Sequence, residues 1–157
     1  MDQKNKKYLP HASAGLLAAL AAFTQPFEGT VLKAYQHPGD VPTICTGHTG
    51  KDVHLGELAS RPECLALLAA DEAYALNVVQ VSIEGRLTDG QKIAFADFIF
   101  NEGIGTWQHS SMLRDANSGH IGQACNDLLK YDIAAGRKLA GLDKRRQKER
   151  ELCLKGE

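Results

Sequence analysis

Apolar residues recur at helical spacing near the N-terminus. Leu16, Leu17, Leu20 and Phe23 share one face of the small-residue run Ala12–Phe23, a period that predicts an amphipathic helix. Thr24-Gln25-Pro26 stops it, because proline cannot donate to the helical ladder. Phe27, Val31, Leu32 and Tyr35 then fall on one face again, which predicts that helix resumes and carries Glu28. His37-Pro38-Gly39-Asp40 is a dense turn signal. Val41–Cys45 is short and β-branched, and Gly47-His48-Thr49-Gly50 is a second turn. Residues 41–56 are therefore predicted to form a small irregular hairpin region.

The texture turns helical at Ser60. Ser60-Arg61-Pro62-Glu63 and Thr88-Asp89-Gly90-Gln91 are both capping boxes, in which the side chains of the cap and of the third helical residue satisfy each other's backbone N–H groups. Leu65, Leu68, Glu72 and Leu76 carry the first helix onward. The second is apolar almost all round, with Ile93, Phe95 and Phe98 to Phe100, so it belongs in the centre of a core. Ser110 opens a short helix that Asn117-Ser118-Gly119 closes. Ile121–Tyr131 and Leu142–Leu154 supply two more. The fold class is α+β and predominantly helical, with a small β-region set between helices.

Composition limits the function. A chain of 157 residues, 43% apolar and 24% charged, is the size of one domain and buries roughly two thirds of its unfolded surface. Its 18 basic and 19 acidic residues, net −1, give no global field for nucleic acid or membrane. Locally, Arg137–Arg150 holds seven basic residues in fourteen. Such a run suits a nucleic-acid-binding helix, or more commonly a solvated helix face. Lys4, Lys6 and Lys7 ahead of the apolar run resemble the start of an export signal. That run is too short for a stable span, which needs about twenty apolar residues. It implies an ordinary helix or a transient membrane contact of residues 11–23. Four cysteines allow two disulfides, free thiols or a metal site. Cys45, His48, His54 and Cys64 form C-x2-H-x5-H-x9-C, whose ligand types suit zinc but whose spacing matches no strong zinc pattern.

Among candidate catalytic groups, Glu28 lies between Phe27 and Val31. Burial against apolar groups raises a carboxyl pKa, and a carboxyl kept neutral near pH 7 can act as a general acid. The plain alternative is a solvated helix-end Glu. No phosphate loop, nucleotide motif or Ser/His/Asp order is present.

The residues around Glu28 belong to a longer pattern. Glu28-Gly29, Leu32-Lys33-Ala34-Tyr35, Thr43-Ile44-Cys45 and Gly47-His48-Thr49-Gly50 resemble the phage-type lysozymes of glycoside hydrolase family 24. The resemblance continues through Phe98–Gly103, Ser110–Arg114, Asn117–Gly119 and Gly141-Leu142, Arg145-Arg146, Glu149. It implies a lysozyme-like two-lobed fold: an N-terminal segment 1–26, then a catalytic domain 27–157 with a β-containing lobe 27–60 and a helical lobe 61–157. It also implies hydrolysis of the β-1,4 bond between N-acetylmuramic acid and N-acetylglucosamine, without cofactor or metal. The implied role is that of an endolysin, a monomer made in the host cytoplasm and acting on peptidoglycan strands in the periplasm.

The family pattern is a Glu, an acid nine positions on and a Thr fifteen positions on. Here those positions hold Glu28, His37 and Thr43, so His37 departs from the usual Asp. By resemblance, Glu28 protonates the glycosidic oxygen, and the second group and Thr43 prime a water on the opposite sugar face. A neutral imidazole can accept that proton. Asp40, in the same turn, is the other candidate, and a catalytically impaired glycan-binding relative is the alternative. His48 and Glu102 are placed in the cleft with Asp40 as substrate-binding candidates, and Arg145 or Arg146 is the basic residue expected near Glu28. The resemblance favours disulfides Cys45–Cys64 and Cys125–Cys153, beside the open alternatives of free thiols and zinc. Trp107 reads as a core or lobe-interface residue.

Overall fold

The computed structural model describes residues 12–134 and 136–155. Lys4, Lys6, Lys7 and residue 11 of the expected membrane-contact segment lie outside them. Ser13 caps helix α1 (Ala14–Thr24), accepting from the Leu16 N–H at 3.2 Å. Leu16, Leu20 and Thr24 face inward, and a single 3-10 turn, Gln25–Phe27, ends the segment at Pro26.

The helix expected over 27–35 does not form. Glu28 is already extended (φ −111°, ψ 137°), and Val31–Tyr35 is strand β1. The i, i+4 spacing of Phe27, Val31 and Tyr35 was coincidental. Val31, Leu32 and Tyr35 stay exposed, and only Ala34 of the strand is buried. β-branched Thr30 and Val31 favour extended backbone, and both edges of β1 find partners. On one side lies β2 (Thr43–Cys45), followed by β3 (His48–Thr49), in an antiparallel sheet of order β1-β2-β3. On the other, Ala34 N–H donates to Glu57 O at 2.9 Å and Ala59 N–H to Leu32 O at 2.9 Å. Tyr35 pairs with Thr43, and Thr43 with Thr49. A small core of Ala34, Ile44, Cys45, Val53 and Cys64 lies beneath.

Helix α2 (Arg61–Ser82) and helix α3 (Asp89–Gln108) start at the two capping boxes read from the sequence. At 22 residues, α2 is the one described helix long and apolar enough to cross a bilayer. Here its buried residues, including Glu72 and Ala75 to Val79, pack on α1 and α3. The 11 residues of α1 rise about 16 Å, half of a hydrocarbon core. The run Ile93 to Ile99 of α3 is buried all round, and α3 bends at Gly103, whose φ of 84° suits a residue without Cβ.

Helices α4 (Ser111–Asn117) and α5 (Ile121–Asp127) follow, with Gly119 (φ 80°) closing α4. A two-strand ribbon, β4 (Ile133–Ala134) and β5 (Arg137–Lys138), precedes helix α6 (Ala140–Leu154). Trp107 is fully buried against Phe95 and Phe98, its indole N–H donating to Ser82 Oγ at 3.0 Å.

Disulfides join Cys45 to Cys64 and Cys125 to Cys153, so the described residues hold no free cysteine. Thiolates for the zinc reading are therefore spent. The second bridge closes a separation of 28 residues, which the chain-entropy estimate values at roughly 3–4 kcal/mol. Converting Cys125 and Cys153 to Ser is expected to lower the melting temperature by several degrees, read by circular dichroism. Added reductant should then lower the double variant less than the native protein.

Candidate active site

Glu28 leaves the 3-10 turn in extended backbone, which swings its carboxyl toward the helical lobe. It does not sit among apolar groups alone. Its Oε1 accepts from Arg145 Nη1 at 2.5 Å, and the side chain is 19% exposed. Arg145 comes from α6, and its guanidinium carbon lies 5.3 Å over the Phe27 ring. Its Nε and Nη2 donate to Asp97 Oδ2 and Oδ1 at 2.8 and 2.9 Å. Thr24 Oγ1 donates to Asp97 Oδ1 at 2.8 Å. Burial opposes the guanidinium charge, but the hydrogen bonds and charges of Asp97 and Glu28 outweigh it and raise its pKa.

Other charges crowd the same seam. Arg146 is fully buried, its Nη2 bonded to Asn101 Oδ1 and its guanidinium 5.0 Å over the Phe98 ring. Glu149, also fully buried, lies 3.2 Å from Arg146 Nη1. Burial drives its pKa well up, against the pull of Arg146. Glu72 on α2 is buried, and its Oε1 has no hydrogen-bond partner. Burial, then the nearby charges of Asp97, Asp71 and Glu28, pushes it from 4.5 to about 7 despite the Thr24 hydroxyl. The basic run of α6 thus sends Arg145 and Arg146 inward. Lys138 at its start pairs with Asp132 and Asp143 at 2.7 and 3.0 Å. Lys144 and Lys148 stay on the exposed side of α6, so part of the run is a solvated helix face.

The remaining predicted residues separate into two sets. Thr43 is half-buried on β2, its hydroxyl donating to Val41 O at 3.2 Å. Directly paired strand residues share a sheet face, so Tyr35, Thr43 and Thr49 form one row. Thr49 lines a cleft of about 150 Å³ between the lobes, with Gly47, Asp71, Tyr74, Phe100 and Ile104. His37 is exposed beyond β1, its ring edge-on to Tyr35 at 5.3 Å. Asp40 is exposed in the same turn, where its carbonyl accepts from Gln36 Nε2 at 2.6 Å.

Both ring nitrogens of His48 face carboxylates. Its Nδ1 lies 2.8 Å from Asp71 Oδ2 and its Nε2 3.3 Å from Asp52 Oδ2. Burial lowers its pKa, but hydrogen bonds and charges from Asp71 and Asp52 prevail and hold it above 6.5. Glu102 is half-buried, 3.7 Å from Arg146 Nη2, and so faces the buried arginine. Sequence reasoning missed Asp97, Glu72 and Thr24. A lone Asp inside the apolar run Ile93–Phe100 was the available signal.

The family model described as phage lysozyme matches residues 25–149. The chain belongs to the phage lysozyme family. A SAR-endolysin of Enterobacteria phage P21 is 34% identical over 146 residues, 93% of this chain and 88% of the relative. Among solved structures, the muramidase domain of SpmX from Asticaccaulis excentricus has a TM-score of 0.77 and 27% identity, covering 93% and 99% of the two chains. P22 lysozyme has a TM-score of 0.69 and 29% identity, also covering 93% and 99%. For a phage lysozyme the two-lobed arrangement is the expected one, and the seam around Arg145 is where the lobes meet.

Glu72 and His48 both make stability fall as pH rises, over different ranges. Glu72 titrates at about 7 folded and near 4.5 unfolded, so the unfolded chain releases its proton first. Stability is then lost as pH rises from 4.5 to 7, by on the order of 3 kcal/mol. Glu72→Gln is expected to match the native protein in urea unfolding at pH 4 and exceed it at pH 8. His48, raised above 6.5, contributes most below pH 6.5 and loses that contribution as pH rises through its folded pKa. The cost of Asp71→Asn should accordingly be larger at pH 6 than at pH 9.

Proposed function

We propose that this phage lysozyme is an endolysin that hydrolyses the β-1,4 bond between N-acetylmuramic acid and N-acetylglucosamine in peptidoglycan, with Glu28 as the proton donor. The observation that carries this reading is the half-buried carboxyl of Glu28, held through one oxygen by Arg145 where the β-lobe meets the helical lobe. A glycan strand lying in the interlobe cleft presents its glycosidic oxygen to the second oxygen, Oε2. Protonation there makes the leaving sugar a neutral alcohol as the C–O bond breaks. A water then adds at the anomeric carbon from the opposite face, with inversion.

Thr43 positions that water through its hydroxyl, on the sheet face shared with Thr49. His37 takes the proton from it. A neutral imidazole can accept a proton from water. Asp40 sits in the same turn and is the second candidate for this step. No cofactor enters the balance, because water supplies the hydroxyl and Glu28 the proton.

The SAR-endolysins among the relatives support action on the cell wall in the periplasm. The N-terminal segment makes transient membrane contact before α1 packs into the helical lobe through Leu16 and Leu20.

Glu28→Gln is expected to remove clearing of outer-membrane-permeabilised Gram-negative cells, by at least about a hundredfold, with the melting temperature retained. Full activity in that variant would refute the mechanism. His37→Ala and Asp40→Ala are expected to differ, with the larger loss at His37. Product analysis should show a new reducing end; a 1,6-anhydro end would mean transglycosylation.

A further inference from the structure

The acid required by the proposed chemistry is aimed by a guanidinium that has no freedom of its own. Arg145 is 4% exposed. Two of its donors are committed to Asp97 and the third points at Glu28. A two-point guanidinium–carboxylate pair fixes the plane of the guanidinium, so the direction of Nη1 follows from the position of Asp97. That carboxylate is 0% exposed and is itself held by the Thr24 hydroxyl. Thr24 is the last residue of α1, Asp97 belongs to α3 and Arg145 to α6. A competing carboxylate stands close by, since Glu149 Oε1 is 3.6 Å from Arg145 Nε without a hydrogen bond between them. Loss of the hold by Asp97 would let the guanidinium turn toward Glu149 and away from Glu28.

We propose that Thr24 and Asp97 are positioning residues for the reaction: they fix Arg145, and through it the carboxyl of Glu28, so that seating the last turn of α1 sets the aim of the acid. The inference rests on the reading of Glu28 as proton donor. It adds a consequence which that reading lacks. A hydroxyl at the end of the N-terminal helix, four residues from Glu28, should matter to the chemical step and not to glycan binding.

The test uses the full chain acting on soluble peptidoglycan oligosaccharides, with rates taken per folded molecule from thermal unfolding curves. Thr24→Val keeps the shape and removes the hydroxyl. It is expected to lower kcat by about tenfold with KM within about twofold, the pattern of a lost transition-state alignment. Thr24→Ser restores the hydroxyl and should return kcat to within about twofold of native. Asp97→Asn, which keeps the size but loses the charge, should lower kcat by about a hundredfold. If burial prevents that variant from folding, the Val and Ser pair decides alone. Native kcat in Thr24→Val, an equal loss in Thr24→Ser, or a change confined to KM would overturn the proposal. The native protein and Glu28→Gln, measured alongside, keep this failure distinct from failure of the hydrolase reading itself.

Discussion

The pair between Arg145 and Asp97 is the constraint around which the lobes are organised. Asp97 stands in the middle of the most apolar helix, between Ala96 and Phe98, both fully buried. An unpaired carboxylate there would cost several kcal/mol, and only a partner with matching geometry offsets that. Arg145 supplies the match in two parallel hydrogen bonds. Because the partner comes from α6, the central and C-terminal helices are locked in one rotational register. Because its third donor reaches Glu28, the β-lobe is tied to the same point.

Charge accumulates along this seam. Glu28, Glu72, Asp97 and Glu149 share it with two arginines, and Glu72, Arg146 and Glu149 all leave buried polar atoms without a hydrogen bond among the described residues. A core chosen for stability alone would replace such groups with apolar ones of similar volume, often at no cost. Their retention beside Glu28 fits a site where electrostatic arrangement matters more than packing. The Phe27 and Phe98 rings lie under the two guanidinium groups, favourable neighbours for a desolvated cation.

The β-lobe solves a different problem. Its core is five small or medium side chains, too little apolar area to fix three short strands unaided. Covalent and ionic ties take over: Cys45–Cys64 joins β2 to the start of α2, and His48 joins β3 to Asp71 further along that helix. These ties leave the face that carries Tyr35, Thr43 and Thr49 free of structural duty. The lobe can therefore present that face to a long polar ligand.

Local signals in the sequence determined much of the outcome. The capping boxes at Ser60 and Thr88, the serine cap at Ser110, the stop at Gly119 and the apolar α3 are set by neighbours within one helical turn, so the chain itself announces them. The Glu28–Thr43 spacing was equally legible, being a matter of counting. Tertiary structure decided what depended on distant partners. Residues 27–35 have a helical period yet became a strand, because pairing with β2 and with residues 56–59 outweighed a weak local preference. His48, read as a cleft residue, gained a carboxylate partner 23 positions away that no local signal announced. Arg145, one charge in a basic run, was expected near Glu28 only by resemblance to the family; burial turned it inward onto Asp97, 48 positions back, and Glu28, 117 positions back. Local order reads out from the sequence because its energies act between adjacent residues. The aim of a buried charge is fixed only when helices from both ends of the chain close around it.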